Sequence, residues 1–174
     1  MLWERGYVGT SPKAIQLAAE AGQGSMYHHF SGKAELAKAA IERSGAELRA
    51  AAEEQFAGGG TATERITGYL QRDRDVLKGC RIGRLTADPD VMADPVLRAP
   101  VDETFGWLRT RLAEIIAEGK KSGEYPAGLD PEQTAATIAA VLQGGYVLAR
   151  AAGSAEPFDL AVQGLVSLLK GVAS

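Results

Sequence analysis

Apolar side chains recur at helical spacing along almost the whole chain, and this periodicity constrains the fold more than any other feature. Segments with apolar residues three or four positions apart are separated by Gly and Pro, which commonly end helices. No stretch alternates apolar and polar residues with the β-branched enrichment of a strand. The chain has 174 residues, of which 45% are hydrophobic, so it can bury a real core. The pattern predicts an all-α fold of about nine helices.

Local start and stop signals predict several helix boundaries. Thr61 and Glu64 have the spacing of a capping box, and Asp130 precedes a proline, so we expect helices to begin at both places. The helix that begins after Thr61 is expected to continue to Gly79. Another helix is expected to begin at Pro100 and to end at a glycine about six turns later.

Charge is a weak guide to function in this chain. The net charge is −3, whereas a nucleic-acid-binding protein usually has a basic surface. Residues 1–43 carry +1 and the remainder carries −4. A weakly positive N-terminal part on an acidic body fits a small DNA-reading segment, and it fits a protein with no nucleic-acid role equally well.

Several classes of protein and site are not expected. No apolar run approaches the roughly 20 residues of a membrane span, and the N-terminus lacks the apolar region of a signal peptide, so we expect a soluble, cytoplasmic protein. The single cysteine, Cys80, excludes an internal disulfide framework and a Cys-rich zinc site. His28 and His29 are adjacent and do not share a helix face, which argues against a metal site. No catalytic nucleophile–base arrangement or phosphate loop is present, so neither an enzyme nor a cofactor is expected.

The N-terminal quarter combines two short helices, joined by a tight turn, with a longer helix after them, which is a helix-turn-helix arrangement. Its residues resemble the DNA-binding signature of the TetR family at Gly6-Tyr7, Thr10-Ser11, Ile15, the run from Gly24 to Phe30, and Lys33. A weaker likeness, in Gly79-Cys80-Arg81-Ile82-Gly83, points to an LmrA/YxaF-like branch of that family.

The resemblance implies two domains and a regulatory function. A helix-turn-helix DNA-binding domain would occupy residues 1–43, and a ligand-binding and dimerisation domain would occupy residues 44–174. The expected partners are double-stranded operator DNA, a small-molecule effector and a second copy of the chain. The expected function is repression that a small apolar or aromatic ligand relieves.

The residues predicted to contact DNA divide by role. Gln23 and Ser25 can hydrogen-bond base edges from the start of a recognition helix, and Gly24 allows a close approach of the backbone. Tyr27, His28 and Lys33 resemble family positions that hold phosphates. The full predicted set is Thr10, Lys13, Gln23, Gly24, Ser25, Tyr27, His28 and Lys33.

Two departures from the family pattern bear on DNA binding. Family members carry a further stretch before the segment Leu2–Arg5, so we expect the chain to begin inside the first helix, either because its start is assigned late or because the DNA head is incomplete. Glu20 occupies a turn position that is usually glycine, so it must either adopt a left-handed backbone or reshape the turn. These departures keep one alternative open: a dimeric helical protein that binds a small molecule and no longer binds DNA.

The C-terminal part is expected to supply a pocket and a dimer interface. The pocket prediction consists of large or soft side chains on the middle helices: Tyr69, Cys80, Leu85, Phe105, Trp107 and Tyr146. The helices over residues 131–152 and 157–171 carry small and apolar residues at helical spacing, so two from each subunit would form a four-helix bundle. In the second helix these interface residues are Phe158, Ala161, Val162, Leu165, Leu168 and Leu169. The same periodicity would also fit an intramolecular core.

Overall fold

The computed structural model describes residues 1–20 and 28–173, and within those ranges it is helical with no strand, which confirms the all-α prediction. The α-helices are α1 (Leu2–Arg5), α2 (Pro12–Ala18), α3 (Lys33–Phe56), α4 (Ala62–Gln71), α5 (Pro89–Ala93), α6 (Pro95–Ser122), α7 (Pro131–Ala152) and α8 (Glu156–Val172). Two 3₁₀ turns lie between α4 and α5, at Val76–Lys78 and Gly83–Ala87.

The predicted start signals at α4 and α7 are confirmed. The Thr61 hydroxyl accepts a hydrogen bond from the Glu64 amide, and the Glu64 carboxylate accepts one from the Thr61 amide at 2.8 Å, which completes the capping box. At α7, the Asp130 carboxylate accepts a hydrogen bond from the Gln133 amide at 2.9 Å. Each cap satisfies backbone N–H groups that have no partner within the helix.

The predicted end of α4 is wrong: the helix stops at Gln71 rather than continuing to Gly79. Arg72 adopts an extended backbone at the helix end. The Arg74 guanidinium then folds back and donates hydrogen bonds to the carbonyl oxygens of Leu70 and Tyr69. A side chain beyond the helix thus satisfies carbonyls that further helix would otherwise satisfy.

The predicted start of α6 is also wrong, because the helix begins at Pro95 and Pro100 lies inside it. The Asp94 carboxylate accepts a hydrogen bond from the Val96 amide at 2.8 Å, so Asp94-Pro95 starts the helix as an Asp-Pro pair starts α7. Pro100 is tolerated near the start because it deprives only the Val96 carbonyl of its helical partner, and Val96 is exposed to solvent.

The chain divides into two compact units. The first contains Met1–Glu47 together with Arg81–Thr104, and the second contains Leu48–Cys80 together with Phe105–Ser174. The N-terminal helices therefore share a unit with the 3₁₀ turn at Gly83–Ala87, with α5 and with the start of α6. The functional boundary predicted at residue 43 stays a prediction.

The second unit has a continuous apolar core supplied by the end of α3 and by α4, α6, α7 and α8. Its completely buried members include Ile66, Leu112 and Ile138. By length and composition, α7 is the one described helix that meets the criteria for crossing a membrane, and 39% of its apolar window is buried. Core helices meet the same criteria, so this is weak evidence for a membrane span.

Candidate nucleic-acid interface

The turn between α1 and α2 is closed by Thr10. Gly6 ends α1 with φ 71°, a left-handed conformation that favours glycine. The Thr10 hydroxyl donates to the Gly6 carbonyl at 2.6 Å, and the Thr10 residue is only 3% exposed. Ser11, rather than Thr10, caps α2 by accepting a hydrogen bond from the Ala14 amide at 3.1 Å.

The DNA contact predicted for Thr10 finds no support in this geometry. A buried hydroxyl that already donates its hydrogen bond to Gly6 cannot reach a phosphate in the same conformation. Thr10 instead fixes the angle at which the chain enters α2.

Asp88 holds the same turn from a distant part of the chain. Its Oδ2 atom accepts hydrogen bonds from the amides of Tyr7 at 2.7 Å and Val8 at 3.2 Å. Its Oδ1 atom faces the amides of Asp90 and Val91 at the start of α5. One buried carboxylate thus joins the α1–α2 turn to α5, and sequence reasoning missed it. The Asp88-Pro89 pair signals the cap, but nothing local identifies Tyr7 as a partner.

Two arginines hold α1 within the first unit. The Arg81 guanidinium lies 4.8 Å from the centre of the Trp3 ring and forms an ion pair with Glu47 at 2.8 Å. The Arg84 guanidinium donates to the Glu4 carbonyl at 3.3 Å. The segment Arg81–Thr104 therefore supports the N-terminal helices directly.

Glu20 adopts the left-handed backbone, which is one of the two outcomes expected from the sequence. Its φ is 50°, and among the described residues it is the only non-glycine residue with a positive φ. The turn is weakly bonded, because the Glu20 amide donates to the Leu17 carbonyl at 3.4 Å. A glutamate in this conformation costs about 1–2 kcal/mol relative to the right-handed region.

Lys33 is placed to present a positive charge at the first turn of α3. Its Nζ atom lies 4.0 Å from the centre of the Tyr7 ring, and it forms no ion pair within the described ranges. In the same turn, the Glu35 carboxylate accepts a hydrogen bond from the Ser31 amide at 2.6 Å, which lowers the pKa of Glu35. The first turn of α3 thus carries one positive charge, Lys33, beside one carboxylate, Glu35.

Of the other residues predicted to contact DNA, some are exposed and the rest lie outside the residues that the structure describes. Lys13 and His28 are exposed. Gln23, Gly24, Ser25 and Tyr27 lie outside the described residues, so their roles stay predictions. Across residues 1–20 and 28–173, no group of three His, Cys, Asp or Glu side chains is arranged to hold a metal ion.

The residues predicted to line a ligand pocket do not all fall in one unit. Tyr69 and Tyr146 are buried in the core of the second unit, and Cys80 and Trp107 pack against that core. Phe105 is half-buried in the same unit. Leu85 lies in the first unit and is buried there.

Aromatic rings form the centre of this core. The Phe56 ring lies 4.7 Å from Tyr69 and 6.5 Å from Trp107, and the Tyr146 ring lies 4.8 Å from Phe158. Burial raises the pKa of Tyr146 to about 12, so its phenol stays protonated at neutral pH. These rings pack against one another as part of the core, so the predicted ligand-contacting role of Tyr69, Trp107 and Tyr146 stays a prediction.

Family models match both parts of the chain. A model of bacterial regulatory proteins of the tetR family matches residues 1–40, and a model of a tetracyclin repressor-like C-terminal domain matches residues 60–165. A curated relative is the HTH-type transcriptional repressor DhaR of Mycobacterium sp. strain GP1. It is 25% identical over 159 residues, which cover 90% of this chain and 80% of the relative.

Solved structures share the fold at low sequence identity. A TetR transcriptional regulator from Chloroflexus aurantiacus J-10-FL superposes with a TM-score of 0.86 at 24% identity, over 99% of this chain and 89% of that one. The reduced form of E. coli NemR gives 0.85 at 22% identity, over 99% and 91%. A TetR-family regulator from Cytophaga hutchinsonii gives 0.87 at 23% identity, over 99% and 88%.

Proposed function

Because the chain belongs to the TetR family of bacterial transcription regulators, we propose that it is a homodimeric repressor that binds operator DNA and is released by a small molecule. Family members are regulators rather than enzymes, and membership does not favour the alternative of a sensor without DNA binding. As a regulator of genomic DNA, the protein would act in the cytoplasm. The LmrA/YxaF-like branch rests on the stretch from Gly79 to Gly83 alone and stays a prediction.

The observation that carries the DNA-binding proposal is the match of residues 1–40 to the family's N-terminal model. It coincides with the Ser11-capped helix, with the turn at Glu20 and with the positive charge of Lys33. Within residues 1–43, Lys33 would hold phosphates, and the predicted base-reading residues Gln23 and Ser25 would give sequence preference.

A selection experiment tests DNA binding and identifies the operator sequence at the same time. The protein is mixed with a pool of random duplexes, and the bound fraction is amplified and sequenced over several rounds. We expect enrichment of a palindromic motif, bound at least about a thousandfold more tightly than a shuffled duplex of the same composition. No enrichment, or equal affinity for the enriched and the shuffled duplex, would contradict the proposal.

The dimerisation proposal rests on an exposed apolar stripe along α8. Leu160 lies eight residues before Leu168, and Val172 lies four residues after it, so all three fall on one side of the helix, and all three are exposed in the single chain. Val147 and Leu148 are exposed on α7. Apolar surface of this kind marks a site of association, and a two-fold pairing of α7 and α8 would bury it.

The interface predicted from periodicity needs one correction. The periodicity assigns Phe158, Val162, Leu165 and Leu169 to the dimer interface, but they are buried in the core of their own subunit. Leu168, which is 70% exposed, is the member of the predicted set that is free to pair with a partner. The last helix therefore has an inner and an outer apolar face.

The effector proposal places a small apolar or aromatic molecule among the aromatic residues of the second unit. Stacking on Tyr69, Trp107 or Tyr146 would supply the affinity. Coupling between effector and DNA is typically 1–3 kcal/mol, a change in DNA affinity of roughly 5–150-fold. Trp107→Ala is expected to weaken effector binding and to leave DNA affinity without effector unchanged. Fluorescence anisotropy of a labelled duplex measures the DNA affinity with and without effector.

A further inference from the structure

The Lys33 ammonium lies over the face of the Tyr7 ring. Its Nζ atom is 4.0 Å from the ring centre, within the roughly 6 Å over which an aromatic face attracts a cation. Both residues are half-buried, and both belong to the first compact unit. This contact connects the first turn of α3 to the turn between α1 and α2.

The backbone of Tyr7 is hydrogen-bonded at both of its polar groups. The Tyr7 amide donates to the Asp88 carboxylate at 2.7 Å, and the Tyr7 carbonyl accepts a hydrogen bond from the Thr10 amide at 3.2 Å. The carbonyl of the preceding residue, Gly6, accepts a hydrogen bond from the Thr10 hydroxyl at 2.6 Å. These bonds fix the point from which the Tyr7 ring projects, so the ring offers Lys33 a defined position.

The surroundings of the Lys33 stem are apolar. Lys33 and Tyr7 belong to the wall of a cavity of about 170 Å³ among α1, α2 and α3, and Leu2, Ile15 and Leu36 belong to the same wall. A lysine stem can lie along such side chains while its charged end stays in water. On this side of Lys33, the Tyr7 ring face is therefore the group that attracts the ammonium.

Carboxylates near Lys33 are engaged elsewhere. Lys33 forms no ion pair with an acid of residues 1–20 and 28–173, and residues 21–27 contain no Asp or Glu. Glu35, in the same helical turn, accepts a hydrogen bond from the Ser31 amide at 2.6 Å. An aromatic face carries no net charge, so Tyr7 orients the ammonium without neutralising it.

Three acids close to Tyr7 act on its phenol. Burial raises the pKa of Tyr7, and the carboxylates of Asp94, Asp90 and Asp88 raise it further. The phenol therefore stays protonated at neutral pH. Tyr7 thus attracts Lys33 through the face of a neutral ring and not through a phenolate.

We infer that Tyr7 is a positioning residue for DNA binding, whose ring holds the Lys33 ammonium so that its N–H groups on the side away from the ring donate to a phosphate. The inference rests on the proposed function, in which Lys33 holds the DNA backbone. A lysine side chain loses rotamer freedom when it is fixed in a complex. Because the Tyr7 ring orders Lys33 before DNA arrives, less freedom is lost on binding.

Two substitutions of Tyr7 test this role by fluorescence anisotropy on the selected duplex. Tyr7→Leu removes the ring and keeps an apolar side chain, and it should weaken binding about two- to fivefold per half-site, the factor that a partly exposed cation–π contact contributes. Tyr7→Phe keeps the ring and should bind like the unmodified protein. The salt slope should be the same in all three proteins, because Lys33 is still present. Unchanged or tighter binding by Tyr7→Leu would overturn the inference.

A double-mutant cycle separates positioning from a general structural role. If Tyr7 acts through Lys33, Tyr7→Leu has no further effect on DNA affinity in a protein that already carries Lys33→Ala. A structural role would weaken binding by the same factor with and without Lys33. Equal losses in the two backgrounds would therefore overturn the assignment of Tyr7 as the residue that positions Lys33.

NMR spectroscopy tests the contact without DNA. Reductive methylation with ¹³C-formaldehyde labels lysine amines and keeps their charge, and the Lys33 signal is the one missing from Lys33→Ala. We expect the Tyr7 ring to shift this signal upfield in the unmodified protein and in Tyr7→Phe, and we expect the shift to vanish in Tyr7→Leu. A Lys33 signal without an upfield shift in the unmodified protein would overturn the inference, even if Tyr7→Leu fails to fold.

The two kinds of measurement distinguish failure of the inference from failure of the proposed function. A protein that binds no duplex would contradict the proposed function and, with it, the role of Tyr7 in DNA binding. The upfield shift would still show that the ring holds Lys33. A protein that binds the selected duplex equally well with and without the ring would overturn the role of Tyr7 alone.

Discussion

Glu20 combines two costs at one residue of the turn that follows α2. Its left-handed backbone, with φ 50°, is unfavourable for a residue with a Cβ, and its carboxylate places a negative charge in the segment proposed to face DNA. We predict that Glu20→Gly raises the free energy of unfolding by about 1 kcal/mol, since glycine adopts this conformation without strain. Urea denaturation measures the change.

DNA affinity provides the second part of the Glu20 prediction. Both Glu20→Gly and Glu20→Gln remove the charge, so both should tighten DNA binding, and the gain should shrink as salt concentration rises. Only the glycine variant should gain stability, because glutamine keeps the Cβ. Equal stability of the two variants would mean that the left-handed backbone is not strained.

The sequence predicts the Glu20 conflict because the relevant information is local: a family turn position and a residue type that does not suit it. The roles of Asp88 and Arg74 could not be predicted in the same way. Asp88 bonds to Tyr7, which lies 81 residues away, and Arg74 caps a helix whose end the periodicity does not mark. A hydrogen bond between distant segments, such as that of Asp88, leaves no pattern in the sequence, and the short-range bond from Arg74 to Leu70 follows no standard helix-end motif.

Among the helices, α4 is capped by a residue from beyond the end of α6. The Glu124 carboxylate accepts hydrogen bonds from the amides of Ala62 and Thr63, both at 2.8 Å. Burial acts to raise the pKa of Glu124, but the hydrogen bonds from Thr63 and Ala62 together outweigh it, and the pKa lies below its ordinary value of 4.5. The ionised form is therefore favoured in the folded protein.

We predict that Glu124→Gln lowers the free energy of unfolding by about 0.5–2 kcal/mol at pH 7, as the loss of a helix cap typically does. A depressed carboxyl pKa contributes stability that is present above the unfolded value of 4.5 and lost as the pH falls through the folded value. The difference between the two proteins should therefore shrink in acid. A difference that stays constant from pH 7 to pH 3 would contradict the cap's charge dependence.

Asp88 joins two elements, and its removal should loosen both. We predict that Asp88→Ala lowers the free energy of unfolding by about 1–3 kcal/mol, because the amides of Tyr7 and Val8 lose a buried acceptor. Asp90→Ala, at an exposed acid two residues further on, is the matched control. Hydrogen exchange should show faster exchange of the Tyr7 and Val8 amides in Asp88→Ala alone. Unchanged exchange would mean that Asp88 does not hold the turn.

At the level of helices, start signals are more predictable than ends. Asp130 and Thr61 are recognisable as caps because the side-chain acceptor lies next to the helix that it caps. The end of α4 at Gln71 depends on the Arg74 side chain. In the sequence, both Pro95 and Pro100 resemble the start of α6, and only Pro95 is the start. In both cases the deciding hydrogen bond is local, from Arg74 to Leu70 and from Val96 to Asp94, but the sequence offers competing local signals.

In the whole molecule, the proposed dimer depends on the outer face of α8. We predict that Leu168→Glu gives monomers, raising the dimer dissociation constant at least about a hundredfold, because a carboxylate would be buried without a partner. The subunit should stay folded, since Leu168 is 70% exposed in the single chain. Lys170→Glu introduces the same side chain on a different face and serves as the control. Sedimentation velocity distinguishes the outcomes, and a dimeric Leu168→Glu protein would refute this interface.

Periodicity could not separate the two faces of α8, because both are apolar. Leu165 belongs to the subunit core and Leu168 to the surface, yet both fit helical spacing equally well. Similarly, the predicted pocket includes Leu85, which lies in the first compact unit. Sequence patterns predict that a residue is apolar and helical, whereas its neighbours depend on how the helices pack.

In the proposed DNA complex, residues 1–43 read DNA, with Gln23 specifying sequence and Lys33 holding the backbone. The most direct measurement is fluorescence anisotropy on the selected duplex and on a shuffled duplex, over a range of salt concentrations. Lys33→Ala should weaken both complexes about equally and lower the salt slope by about two units per dimer, one phosphate contact in each half-site. Lys38→Ala is the control: Lys38 already pairs with Glu42, so its removal should leave the salt slope unchanged.

In the same measurement, Gln23→Ala should cost about 1–3 kcal/mol per half-site on the selected duplex and little on the shuffled one. A loss that is equal on both duplexes would contradict the placement of the recognition helix. If neither duplex is bound by the unmodified protein at any salt concentration, the DNA-binding function itself is refuted.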